Sequence, residues 1–432
     1  MKVSRFNLFY KQQGGTAVFN TATGKWCTFS LMSAARLRAG TIDGLPERTL
    51  RQAAAIGAVV EDCFDEDRWY RLAYERRMTD RKTARYVCAL TFSCNLRCPY
   101  CFERGPRAAD GPMTREFAAR LVAAVKQRCA SDGTRRLCIM LFGGEPLLEL
   151  DVGLFLLREF AEWCADSGVS FMATMSSNGV LFTKEKVRLL SPYLDSVQVT
   201  LDGPRHVHDR IRRTQSGRGT FDRILDSVRM LSKEGIGVHI RTQASLDNAF
   251  EIMELLEGLK KDGILGLPKV QASVAVLREF SKWATCEYRK NYFEPGSELE
   301  REVIRLSESV LPARRPAVQI LPCVADENLF CVDPAGNLFK CITNITNLDR
   351  RVGYLDDSGA FKLTEHYRAR ASRNPLTFDD CRACPYLPLC GGGCPTSALN
   401  RWKTYGHSYC TNNKAILDSR IERLIDVSSA GG

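Results

Sequence analysis

A chain of 432 residues exceeds what one hydrophobic core ordinarily organises, so two or three domains are expected. Hydrophobic residues at 44% and charged residues at 26% exclude a disordered or fibrous protein. The net charge of +11 would suit an acidic partner, but no basic and aromatic residues interleave as in a single-strand groove and no nucleic-acid module is recognisable, so nucleic acid is excluded.

No apolar run reaches the length of a signal peptide or of a bilayer span, which predicts a cytoplasmic protein with no membrane partner. In a reducing compartment 18 cysteines point to metal or redox chemistry rather than disulfides. With only five histidines, all-thiolate sites are favoured over mixed ones.

Within residues 1–85, "GGTAVFNTATGKWCTFS" reads as a hairpin turning at "TATG". Helix-like "SLMSAARLRAG" and "ERTLRQAAAIG" follow, then strand-like "AVVED". This order predicts a small winged-helix-like module.

From about 86 to 310 short apolar runs alternate with amphipathic ones. Strands are predicted at "RYVCALTF", "LCIMLFGG", "SFMATMSSNG", "SVQVTLDG", "GVHIRTQAS" and "KVQASVAV". Between them, "TREFAARLVAAVKQRCA", "VGLFLLREFAEWCAD" and "FDRILDSVRMLSKEG" have apolar residues at helical spacing. The alternation predicts an α/β fold with parallel strands, and six units suit a partial (β/α)6 barrel rather than a full eightfold one.

After the first of these strands comes "TFSCNLRCPYCFE", with Cys94, Cys98 and Cys101 in one loop. A structural zinc normally takes four protein ligands and a 4Fe-4S cluster usually four cysteines. Three thiolates would leave one iron open to a substrate or cofactor. Candidates stand at later strand ends, the ligand face of parallel α/β folds. "LFGGEP" supplies Gly143 and Gly144, which let backbone approach closely, Glu145, an acid able to receive an ammonium, and Pro146. "SSNG" supplies Ser176 and Asn178, and "VTLDGPRHVHDRIRR" supplies Thr200 and Arg212. His206 and His208 are read as helix-start or surface hydrogen-bonding residues rather than metal ligands.

Residues 311–432 lose periodicity. "PCVADENLFCVDPAGNLFKC" and "DDCRACPYLPLCGGGCP" are rich in cysteine, glycine and proline, with too few apolar residues to form a core, so a metal staple is expected. CxxC spacing suits zinc and iron-sulfur clusters equally. The cysteines at 27, 63, 88, 129, 138, 164 and 286 sit in mostly apolar surroundings and are read as core thiols.

From about 86 to 410 the chain resembles the radical S-adenosylmethionine (SAM) enzymes, whose signature is CxxxCxxC with an aromatic residue, here Tyr100, before the last cysteine. The resemblance implies that Cys94, Cys98 and Cys101 hold a 4Fe-4S cluster, that SAM chelates its open iron, and that one electron splits SAM into methionine and a 5′-deoxyadenosyl radical. It implies that "GGEP" holds the SAM amino group, and that Thr200, where the family usually has serine, and Arg212 contact the SAM ribose and carboxylate. The tail is similar to the family's SPASM extension with two auxiliary 4Fe-4S clusters. By that likeness Cys381, Cys384, Cys390 and Cys410 hold one, and Cys323, Cys341 and Cys394 the other. Cys331 is either a fourth ligand there or a strand thiol.

SPASM enzymes typically modify peptides. The implied activity is hydrogen abstraction from a residue of a ribosomally made precursor peptide, installing a thioether or carbon-carbon crosslink, with an external electron donor such as flavodoxin or ferredoxin. The N-terminal module would receive the leader as an added strand, or else only cap the barrel. One alternative is an anaerobic sulfatase-maturating enzyme, which makes formylglycine. That class starts its barrel near the N-terminus and has an aspartate where Ile342 follows Cys341. Another is a non-catalytic iron-sulfur carrier or peptide-binding scaffold, which would have no need of "GGEP", Thr200 and Arg212.

Overall fold

The computed structural model describes residues 1–104, 111–277, 288, 290–294, 296–311, 316–322, 327–410 and 413–430. Contacts divide the chain into two units, each drawing on separated stretches of sequence. The first contains Met1–Thr79, Pro312–Asp326 and Arg370–Gly432; the second contains Asp80–Leu311 and Glu327–Ala369. This grouping differs from three consecutive domains at 1–85, 86–310 and 311–432. The N-terminal segment belongs with the last cysteines, and residues 327–369 belong with the parallel strands.

In the first unit, β1 (Lys2–Val3) pairs with β5 (Val59–Val60). Strands β2 (Asn7–Gln12), β3 (Gly15–Asn20) and β4 (Lys25–Phe29) form an antiparallel meander, followed by helices α1 (Leu31–Arg38), α2 (Glu47–Ile56) and α3 (Glu66–Met78). The "TATG" turn and both predicted helices are thus present. The first strand and α3 carry no marked apolar spacing and were not predicted. Helix α3 starts where the Asp65 carboxylate caps the Arg68 amide, and it buries Tyr70, Tyr74 and Met78. These pack with Phe6, Ile320, Leu321, Phe378, Cys381 and Leu387 in one core. The Tyr70 hydroxyl donates to the Ile320 carbonyl (2.9 Å) and the Tyr74 hydroxyl to the Arg373 carbonyl (2.7 Å).

The second unit is built on a ten-stranded sheet. Six parallel strands follow in chain order: β6 (Thr83–Ala89), β7 (Arg136–Phe142), β8 (Ser170–Ser176), β9 (Ser196–Thr200), β10 (Gly237–Ala244) and β11 (Val270–Val276). All six match predicted strands. Crossover helices α4 (Arg115–Asp132), α5 (Leu150–Ser167), α6 (Lys184–Leu190), α8 (Phe221–Lys233) and α9 (Ile252–Lys261) connect them, and a short α7 (Arg205–Ile211) follows β9. Helix α4 shows how the sequence sets such an element. Thr114 caps its start, Gly133 at φ 61° ends it, and Phe117, Ala118, Leu121, Val122, Val125 and Cys129 are buried. Alternate strand residues, such as Leu137, Ile139 and Leu141 on β7 or Val238 and Ile240 on β10, pack in the core with these helices.

Beyond β6 the sheet continues through β12 (Leu329–Val332), parallel to β6, and then antiparallel β13 (Asn337–Phe339), β14 (Gly353–Leu355) and β15 (Phe361–Leu363). The expectation that this stretch lacks a core is corrected. Phe330, Val332, Leu338, Val352 and Leu355 join the main core. Three- and four-residue strands are too short to show alternation in sequence, and they extend the edge of a sheet whose core is already present. Among the described residues no helix is long and apolar enough to cross a membrane.

Candidate active site

The loop after β6 and the loop after β7 are fastened backbone to backbone. The Gly144 amide donates to the Thr91 carbonyl and the Glu145 amide to the Ser93 carbonyl, both at 2.9 Å. A Cβ on Gly143, whose φ is 134°, would lie 2.2 Å from Thr91 O, and one on Gly144 would lie 2.3 Å from Ser93 O. The two glycines are therefore required by the cysteine loop's own backbone. On the other side, Leu96 bridges to Thr214, and Gln215 Nε2 donates to the Cys94 carbonyl (3.1 Å).

Held this way, Cys94, Cys98 and Cys101 line one cavity of about 480 Å³ with Phe92, Ser93, Leu96, Arg97, Glu103, Gly144 and Gln215. Burial pushes the Cys94 thiol up to about 11 and raises Cys101 as well, so metal binding there must displace protons. Among the described residues no three His, Cys, Asp or Glu side chains converge closely enough to grip a single metal ion. Three thiols spread around one cavity fit a cluster, whose irons are each bound by a different cysteine, better than a lone zinc.

Glu145 is fully buried. Its Oε1 accepts from Ser177 Oγ (2.9 Å) and the Leu147 amide (3.1 Å), and its Oε2 from the Asn178 amide (2.8 Å). Burial pushes its carboxyl up, opposed by these hydrogen bonds and by the positive charge of Arg212. Asn178 reaches back to the cysteine loop, donating to Asn95 Oδ1 (2.7 Å) and facing Cys94 Sγ (3.7 Å). Pro146 is buried in the turn that opens toward α5. Ser176 and Thr200 stand half-buried at the ends of β8 and β9.

Arg212 is buried at the end of α7 and donates through Nη1 to the Tyr100 hydroxyl, which donates to Asp202 Oδ2; the Asp202 carboxylate is itself 3.6 Å from Nη1. Arg212 Nε has no hydrogen-bond partner. Asp202 and Arg212 are also joined through His208, whose Nδ1 accepts from the Asp202 amide (3.1 Å). Its Nε2 then carries the proton and meets Thr220 Oγ1 (3.0 Å), which donates to the Arg212 carbonyl (3.0 Å). His208 is thus a fully buried brace and not a surface residue, and burial holds its pKa well below the ordinary value. Asp202, Asn95 and Gln215 were not singled out from sequence. Asp202 lies inside the quoted "TLDG" and was the one open to recognition.

In the first unit the Cys381 thiol donates to Cys410, with Cys390 and Cys384 close enough to act on it electrostatically; this hydrogen bond and burial push Cys381 up, and the same hydrogen bond draws Cys410 down against its burial. The four cysteines expected to share a cluster are therefore neighbours. Gly393 pairs with Tyr409, which draws the two ends of this segment together. Arg373 sits beneath them, donating to the carbonyls of Tyr405 (2.6 Å), His407 (2.6 Å) and Gly392 (2.7 Å). Cys394 caps the helix Pro395–Trp402 in this unit, its sulfur accepting from the Ser397 amide (3.4 Å), while Cys341 belongs to the second unit, beside Thr343 Oγ1 (3.1 Å). Cys331 is wholly buried on β12 among Val87, Ala89, Phe92, Phe142 and Phe339. Cys323 and Cys286 lie outside the described residues.

The model of the radical SAM superfamily matches residues 89–269, the span from the end of β6 to the start of β11. Residues 89–269 are a radical SAM domain. A cysteine-type anaerobic sulfatase-maturating enzyme of Clostridium novyi (strain NT) is 19% identical over 365 residues, covering 78% of this chain and 94% of the relative. The sporulation killing factor maturation protein SkfB of Bacillus subtilis (strain 168) is 28% identical over 170 residues, 39% of this chain and 37% of that one. Among solved structures, native anSMEcpe with bound AdoMet and Cp18Cys peptide superposes with a TM-score of 0.60 at 19% identity, covering 81% of this chain and 99% of that one. Streptococcus suis SuiB bound to precursor peptide SuiA gives 0.53 at 15% identity, covering 94% and 98%. These likenesses show a shared α/β fold.

Proposed function

We propose that this radical SAM enzyme acts on a ribosomally made precursor peptide, abstracting hydrogen from one of its residues so that a thioether or carbon-carbon crosslink forms. The observation that carries this reading is the extent of the likeness. SuiB, solved with its precursor peptide, matches 94% of the chain, whereas anSMEcpe matches 81%. The N-terminal module has an antiparallel meander whose outer strand β4 would accept a leader as an added strand.

Cys94, Cys98 and Cys101 would hold a 4Fe-4S cluster. When bound with SAM and reduced, it supplies the 5′-deoxyadenosyl radical for hydrogen abstraction. The residues around it do the positioning. Glu145 Oε2, with a single hydrogen bond, keeps a lone pair for an ammonium, and Arg212 Nε offers an N–H to a carboxylate or ribose oxygen. The Thr200 hydroxyl would add a contact on the same rim. Cys381, Cys384, Cys390 and Cys410 would hold one auxiliary cluster, and Cys323, Cys341 and Cys394 another. For Cys331, a place in an apolar cluster favours the strand-thiol alternative.

A second reading, sulfatase maturation, draws support from relatives matched over 94% of their length. It is weakened by Ile342, which follows Cys341 where that class is expected to have an aspartate. One experiment tests both. The anaerobically reconstituted enzyme is given SAM, a reductant and either a short peptide encoded beside its gene or a cysteine-containing sulfatase peptide. Crosslinking removes hydrogen from the first peptide without creating an aldehyde; formylglycine appears in the second as an aldehyde. Replacing Cys94, Cys98 and Cys101 by alanine is expected to lower iron by about four per chain and abolish SAM cleavage. SAM cleavage by that triple variant would overturn the assignment of the site.

A further inference from the structure

The six parallel strands β6–β11 carry no aspartate or glutamate along their whole length, although they carry Arg85, Arg136, His239 and Arg241. Arg241 stands apart from these in place and surroundings. On β10 its neighbours Val238, Ile240 and Ala244 pack in the core with the helices, so Arg241 projects from the opposite, concave face. There it is only half-buried, directly across from Thr200 on β9 and Ser273 on β11. The concave face divides into two halves. Toward β6, β7 and β12 it is apolar, with Val87, Ala89, Phe142, Cys331 and Phe339. Toward β8–β10 it presents the amide and hydroxyl groups of Thr174, Ser176, Gln198, Thr200 and Gln243 around one guanidinium.

Among the described residues no hydrogen bond or ion pair satisfies that guanidinium. Desolvation alone lowers its pKa, with no carboxylate acting on it. Two other charges of this site are more deeply buried and have partners: Arg212 has Asp202 and Tyr100, and Glu145 has three donors. A half-buried cation without a counter-ion gives up part of its hydration for no return, and a ligand that supplies the anion would offset that loss. The planar fork of arginine matches a carboxylate, and the hydroxyls and amides beside it suit the backbone of an extended segment.

We propose that Arg241 is a specificity-determining residue that binds a carboxylate on the concave face, that of an aspartate or glutamate in the peptide being modified. The inference rests on the reading that the substrate is a peptide. The SAM carboxylate has the same chemistry, and Thr200 lies across from Arg241. Arg212, however, already offers a free N–H to SAM, and the polar row continues from Thr200 down the strands to Thr174, beyond a single rim contact.

The test uses the reconstituted holoenzyme and fluorescently labelled nonapeptides with a central cysteine, each flanking position carrying glutamate in one peptide and glutamine in its twin. Binding is followed by anisotropy and SAM affinity by equilibrium dialysis. Wild type is expected to bind glutamate over glutamine at least tenfold more tightly at one or two positions. Arg241→Gln is expected to erase that preference and Arg241→Lys to restore part of it, with iron content and SAM affinity unchanged. Peptide binding with no glutamate preference in wild type overturns the proposal and leaves the peptide reading intact. Retention of the preference in Arg241→Gln together with a tenfold loss of SAM affinity assigns Arg241 to SAM and also overturns it. If wild type binds no peptide of the set, this inference fails, while the peptide reading stands or falls on the crosslinking assay with the full precursor.

Discussion

Arg212 has two tasks that a single substitution separates. Its Nη1 neutralises the fully buried Asp202 with Tyr100 between them, and its Nε is left for a ligand. Arg212→Ala should weaken SAM binding by about 1–3 kcal/mol, because one charge-assisted contact in a shielded pocket is lost. It should also lower thermal stability by about 3–5 kcal/mol, since Asp202 is left as a buried charge without its cation. Arg212→Ala/Asp202→Asn should recover most of the stability and none of the SAM affinity; equal recovery of both, read by melting and equilibrium dialysis, would refute the division. Gly144→Ala drives a Cβ to 2.3 Å from Ser93 O and 2.6 Å from Phe92 O. Neither backbone group can yield without opening the cysteine loop, so iron at the barrel site should fall, at a cost of about 1–3 kcal/mol. Gly258→Ala, inside α9 with nothing within 4 Å, serves as the contrast and should stabilise by about 0.5–1 kcal/mol. The motif residues were legible because their types and spacings are unusual. Asp202 and Gln215 were not, because a carboxylate that orients another residue and an amide that holds a carbonyl leave no spacing of their own.

At the scale of elements, the six parallel strands and their helices were readable because each is long enough for its period to repeat. Strands β12–β15 escaped because four residues of "LFCV" and three of "NLF" cannot show alternation, and their place is set by the exposed edge of β6. The cysteine-rich segment holds together differently. Its turns converge because Arg373 gathers three carbonyls from two separate stretches, and because Gly393 lets the chain pass so close to Tyr409 that a Cβ would lie 2.0 Å from its carbonyl oxygen. Arg373→Met keeps much of the side-chain volume and leaves those buried acceptors unsatisfied, at about 1–3 kcal/mol for each. The reconstituted variant should lose about four irons per chain while binding SAM as wild type does. Full iron content in this variant would mean that the cysteines alone shape that segment.

At the scale of the molecule, chain order suggests that residues 1–85 are an appendage removable without harm to the rest, and the contacts within the first unit argue otherwise. Phe6, Tyr70, Tyr74 and Met78 share a core with Cys381, Phe378 and Leu387, while Leu8, Tyr10, Ala17 and Phe19 pack beneath Leu389, Ile421 and Ile425. The Tyr10 and Tyr386 hydroxyls converge on Asp418, each at 2.6 Å. At roughly 1.5–3 kcal/mol for each large apolar side chain, deleting residues 1–79 removes more than the 5–15 kcal/mol that typically separates folded from unfolded states. The truncated protein should therefore lose the iron of the cysteine-rich segment along with any precursor recognition, which makes the deletion unable to isolate recognition. A sharper variant is a proline scan of β4, the meander's outer strand, since at positions whose amide points away from β3 proline removes a donor for an added strand without touching this core. Those variants should keep full iron and wild-type SAM affinity and lose precursor binding. A truncated enzyme that keeps all its iron would instead show that the cysteine-rich segment folds without the N-terminal module. Proline variants of β4 that process the precursor at the wild-type rate would place recognition elsewhere on the protein.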